Sequence, residues 1–253
     1  AVKPLLDALG DERSAQQQIA IELLSHIQNQ SAGPALFAYA TGPAESDLRT
    51  RAMVAVGTLR DPELLPRLRE LLDPEQGAPA DESDPVAVAA AWAVAVMRSD
   101  KARGLLSSLL DSGAPTLRGF GALGLGWLED ARAAPRLAEV AAAVDAGPVP
   151  RAAAAFALGQ LEATNHTPAL AQLAESASAL VRATAVVALA RLKAPSAPRA
   201  IADALVGSDP DLRAAAVAAA LVHATGDYRL PHDAASVPRG RIDAEDAKRL
   251  ARL

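Results

Sequence analysis

The sequence predicts an all-α fold, an α-solenoid of about seven helical hairpins, and three observations carry that expectation. Of the 253 residues, 51% are hydrophobic yet only 3% are aromatic, so the apolar content rests on Ala, Leu and Val. Such side chains suit helices and let neighbouring backbones approach closely, whereas one large core recruits bulky aromatics. A stretch of one arginine followed by small apolar residues recurs, as "GPVPRAAAAFALGQL" at 147–161, "SALVRATAVVALARL" at 178–192 and "DPDLRAAAVAAALV" at 209–222. Finally, the residues three, seven and ten positions after each such arginine fall on one helical stripe.

Taken in order, the stripe begins after Gln17 with Ala20, Leu24 and Ile27, and after Arg49 with Ala52, Val56 and Leu59. It continues after Ala87 (Ala90, Val94, Met97), Arg118 (Gly121, Leu125, Leu128), Arg151 (Ala154, Leu158, Leu161) and Arg182 (Ala185, Leu189, Leu192). After Arg213 it is read as slipped by one residue, to Val217, Leu221 and Ala224. The anchors stand 32, 38, 31, 33, 31 and 31 residues apart, a unit of about 31 with one expansion. "DPEQGAPADES" at 73–83, rich in Pro, Gly and acid, accounts for the expansion as a solvated loop.

A second amphipathic segment is read before each anchor helix: "PELLPRLRELL" (62–72), "KARGLLSSLL" (101–110), "ARAAPRLAEVAAAV" (131–144), "TPALAQLAES" (167–176) and "APRAIADALV" (197–206). Pro and Asp near their starts suit a helix N-terminus, where a missing N–H is harmless and an acid complements the dipole. Residues 1–225 are therefore read as the array. Residues 226–253 are read as a non-repeat tail, turn-rich to 241 and then one short helix, "IDAEDAKRLARL", that caps the last hairpin or docks elsewhere. The opening "AVKPLLDALG" reads as the interior of a repeat and leaves room for an upstream segment or a removed export signal.

The "VPRAAAAFALGQL", "LVRATAVVALARL" and "DPDLRAAAVAAAL" stretches resemble HEAT repeats, especially the short bacterial kind also found in phycobilin lyases. The resemblance spans about residues 1–225. It implies that the arginine-bearing helix is the second of each pair and lines a concave face. The family's turn aspartate matches at Asp209 but is missing from most other repeats, which breaks any continuous Asp–Arg ladder.

A net charge of −5 disfavours a general polyanion binder, and no nucleic-acid partner is expected. Cysteine is absent, which removes disulfides, thiolate metal sites and a cysteine nucleophile without fixing the compartment. The chain reads as soluble, with no apolar run of the roughly 20 residues a membrane span needs and a cytoplasmic location favoured. His26, His166, His223 and His232 show no metal-ligand spacing, and neither a nucleophile elbow nor a phosphate loop is present. No metal, no cofactor and no catalytic residue are expected. "GALGLG" at 121–126 lies inside a helix with no preceding strand, so it is no dinucleotide fingerprint.

Gly119, Gly121, Gly124 and Gly126 share that one helix, each costing roughly 1 kcal/mol against alanine. Gly126 has the repeat position of Gly57 and Gly159, read as close packing; the other three have no such reason in the sequence. Val54, Trp92, Leu123, Phe156 and Val187 share one large apolar column, which reads as core. Phe120 and Trp127 instead enter columns held elsewhere by mixed residues such as Arg51, Thr184, Thr58 and Gln160. Seven residues apart, they predict a partly exposed aromatic pair on one face, a partner-binding hot spot unless a neighbouring helix or the acidic loop covers it. The cluster Arg49, Arg51, Arg60, Arg67 and Arg69 either matches the acidic loop or binds an acidic peptide.

The functional expectation is a non-catalytic scaffold or adaptor that holds a protein or peptide, its oligomeric state open. The candidate partner-binding residues are Phe120 and Trp127, with Arg49, Arg118, Arg151, Arg182 and Arg213 as an arginine ladder that equally serves to cap carbonyls or pair repeats. By resemblance alone, the alternatives are a phycobilin-lyase-like enzyme or chromophore chaperone, and nucleic-acid work like that of HEAT-like alkylpurine DNA glycosylases.

Overall fold

The computed structural model describes residues 2–11, 13–72 and 82–225. The expected tail, 226–253, and most of the acidic insertion lie outside the described residues. Fourteen α-helices occupy the described chain, which is an all-α solenoid of hairpins. It divides into two compact units, Ala1–Leu128 and Glu129–Leu253.

The first unit holds four hairpins: α1 (Val2–Leu9) with α2 (Ser14–Ile27), α3 (Gly33–Ala40) with α4 (Ser46–Leu59), α5 (Leu65–Leu72) with α6 (Pro85–Val96), and α7 (Arg103–Leu110) with α8 (Pro115–Trp127). The second holds α9 (Ala134–Ala142) with α10 (Pro148–Gln160), α11 (Thr167–Leu173) with α12 (Ala179–Arg191), and α13 (Ala197–Val206) with α14 (Pro210–Thr225). Within each unit the longer second helices pack in succession, α2 on α4, α4 on α6, α6 on α8, and then α10 on α12 and α12 on α14. None of the described helices is long and apolar enough to cross a membrane.

Helix starts follow the local chemistry. Proline occupies the first turn of α3, α6, α8, α9, α10, α11 and α13. Carboxylates cap others: Asp84 Oδ1 accepts from the Val86 amide at 2.9 Å, and Asp209 Oδ1 from those of Asp211 and Leu212. The ends follow a rule that the sequence does not display. Gln28, Arg60, Arg98, Glu129, Glu162 and Lys193, each eleven residues after an anchor, are left-handed at φ of 49–54° where the second helix stops. Glycine is the usual residue in that conformation, yet no glycine holds any of the six.

The core follows the stripe. Three residues after the anchors, Ala20, Ala52, Ala90, Ala154, Ala185 and Ala216 are at most 1% exposed, and Gly121 is buried with them. The slip expected after Arg213 does not occur: Ala216 and Ala220 hold the buried positions while Leu221 is 52% exposed. The buried positions of α14 thus keep the same spacing from their anchor as those of the other second helices. Ile27 is likewise 44% exposed, at the end of a stripe with Ile19 and Leu23 on the side of α2 away from its packed face.

Candidate partner-binding surface

Close packing on one side of α8 fixes what its other side presents. A methyl group added at Gly121 would sit 2.8 Å from the Leu106 carbonyl oxygen and closer still to the Leu110 amide, so α8 lies directly on the backbone of α7. One added at Gly124 would approach the Leu106 side chain and come within 3.1 Å of Ala95 Cα in α6. Both glycines therefore have a packing reason that the sequence hid. Gly57 and Gly159 do the same between second helices, an added methyl meeting Ala93 Cα at 2.8 Å and Ala188 Cα at 3.0 Å.

On the remaining face of α8, Phe120, Leu123 and Trp127 stand half-buried, and the Arg98 guanidinium lies 5.9 Å from the Trp127 ring centroid. An aromatic ring so placed presents apolar area while its electron-rich face holds a cation. Trp92 and Phe156, expected in the core, are also half-buried, and Val54 is 39% exposed. Their column borders the open side of the second-helix layer rather than its interior, which a strictly apolar column does not reveal.

The five ladder arginines are placed alike. Arg49 Nε donates to the Ala40 carbonyl at 2.9 Å, Arg118 Nε to Ser112 at 2.9 Å and Arg151 Nε to Ala141 at 3.0 Å. Arg182 Nη1 donates to the carbonyls of Ser176 and Ala177 at 2.7 and 3.0 Å, and Arg213 Nη1 to Gly207 at 2.9 Å. Each guanidinium thus closes its own hairpin, reaching carbonyls near the end of the first helix that have no partner within that helix. Gln17, the changed anchor of the first hairpin, closes it in the same way, with Nε2 donating to the carbonyls of Asp11 and Leu9 at 2.6 and 3.3 Å. The Tyr39 hydroxyl donates to Gln17 Oε1 at 2.8 Å and locks it.

Elsewhere the charges pair locally. Arg51 meets Asp47 at 2.8 Å, and Arg67 lies 6.0 Å from the Phe37 ring centroid; Asp73, Glu75 and Asp81 of the insertion are outside the described residues. The Arg13 side chain, hydrogen-bonded to Asp11, holds that carboxyl down to about 2. Among the described residues no cluster of His, Asp and Glu is arranged to hold a metal.

A family model described as HEAT repeats matches residues 2–80 and 140–221. The complex of CpcE and CpcF of phycocyanin lyase from Nostoc sp. PCC7120 is similar at a TM-score of 0.57 with 18% identity, over 100% of this chain and 94% of that one. An engineered protein is similar at a TM-score of 0.51 with 19% identity, over 99% of this chain and 76% of that one. At such identities the likeness is one of fold. No curated protein matches the sequence.

Proposed function

The chain belongs to the HEAT-repeat family, and from that premise we propose that it is a non-catalytic scaffold that binds a protein or peptide through the open face of α8. The observation that carries this reading is the placement of Phe120, Leu123 and Trp127 on one half-buried face of a helix whose adjoining flank is pressed onto α7 and α6. Rigid aromatic anchors on a fixed backbone lose little entropy on binding, which is why such residues dominate interfaces. That a similar solved structure is itself a two-chain complex supports a protein partner. The ladder arginines then act by holding the hairpins that present this face.

Affinity capture from the native lysate tests the reading. A Phe120→Ala/Trp127→Ala double variant is expected to lose at least one captured protein that the wild type retains. An Ile19→Ala/Leu23→Ala variant, which removes exposed apolar area from α2 instead, is expected to retain it. Identical captured sets from all three proteins, each confirmed folded by its melting curve, would remove the proposed site.

A further inference from the structure

A cavity in the second unit, separate from α8, follows from one truncated side chain. Three arginines reach a carbonyl six residues upstream, Arg118 that of Ser112, Arg182 that of Ser176 and Arg213 that of Gly207, so these hairpins share one connection length. Eight residues before each stand Leu110, Ala174 and Leu205. Leu110 and Leu205 are buried, at 3% and 0% exposure. Ala174 fills less space, and a cavity of about 230 Å³ opens beside it, walled by Val186, Leu189 and Leu212.

One half-buried cation borders that space. The Arg182 side chain is half-buried, with Nη1 engaged by the backbone. Around the rim Arg199 and Asp203 stand 3.7 Å apart and Glu175 is exposed to solvent, which leaves Arg182 as the half-buried cation among the lining residues.

We propose that this cavity binds a small organic carboxylate with a compact apolar body. The carboxylate accepts from the Arg182 guanidinium, and the body fills the volume left where the sister hairpins carry leucine. A cavity of about 150 Å³ admits benzene in a protein interior, so the space here takes a ring with a short acid arm. A free acid or the C-terminal residue of a peptide offers this chemistry equally.

The full chain, with its Val and Leu methyl groups labelled for NMR, is titrated with 3-phenylpropionate, with 3-phenylpropan-1-ol, and with acetyl-Gly-Gly-Phe carrying a free or amidated C-terminus. The acid is expected to shift the methyls of Val186, Leu189 and Leu212. The alcohol is expected to bind about tenfold more weakly or worse, having lost the charge-assisted hydrogen bonds. Ala174→Leu restores the residue of the sister hairpins; it is expected to raise the melting temperature and abolish the shifts, so that lost binding is not lost folding. Tighter binding by the free acid or by the free-carboxylate peptide identifies the source. The proposal is overturned by absent shifts at those three residues up to the solubility limit, by equal affinity for acid and alcohol, or by undiminished binding in Ala174→Leu.

Discussion

Arginine at the head of five of the seven second helices is a clasp, and Gln17 shows what can take its place. A neutral amide reaching the Asp11 carbonyl takes the place of a guanidinium, so where the clasp is made it needs a long side chain with an N–H donor and not a charge, while the α6 hairpin, with Ala87 at the anchor, does without it. Hydrogen bonds from a charged donor contribute about 1.5–3 kcal/mol. Arg151→Ala is therefore expected to lower unfolding free energy by about that amount, and Arg151→Gln by about half, as read from urea denaturation midpoints. The exposed pair of Asp11 and Arg13 makes a different prediction. Asp11 titrates at about 2 instead of 3.8, chiefly because the Arg13 side chain hydrogen-bonds its charged form. A carboxyl depressed on folding stabilises fully above its unfolded value and loses that contribution as pH falls through the folded one. The window is thus roughly pH 4 down to 2, and carboxyl-carbon NMR of Asp11 beside an Arg13→Ala variant should show the midpoint return towards 3.8.

At the scale of the element, the second helices carry two features repeated by position. Their ends are left-handed at six residues that are not glycine, a conformation costing roughly 1 kcal/mol or more for a residue bearing Cβ. Glu162, exposed and at φ 51°, is a clear instance. Glu162→Gly relieves that strain while adding unfolded-chain freedom, and a net gain of about 0.5 kcal/mol is the expected outcome in thermal unfolding. Their flanks approach so closely that Gly57, Gly121, Gly124 and Gly159 leave no room for a methyl group.

For the whole molecule, packing couples each hairpin mainly to its neighbours, so damage should stay local. Gly159→Ala must push α10 from α12, since the added methyl would lie 2.9 Å from Ala188 Cβ. Overpacking of this kind costs about 1–3 kcal/mol. Amide exchange is expected to quicken across α10 and α12 and to stay unchanged in α2 and α4; uniform quickening would show that the described chain opens as one unit.

The repeat made the hairpins legible, because a stripe at three, seven and ten residues after an anchor is a property of the chain alone. The columns did not separate the aromatics: they put Phe120 and Trp127 at a partly exposed surface and Trp92 and Phe156 in the core, and all four stand half-buried. The arginine contacts, the left-handed ends, the purpose of Gly121 and the cavity beside Ala174 were decided only by tertiary structure. Local periodicity specifies which face of a helix is apolar; it does not specify how near the next backbone comes or which carbonyl lies within reach of a long side chain. Those depend on distances between residues far apart in the chain, and they exist only once the hairpins are stacked.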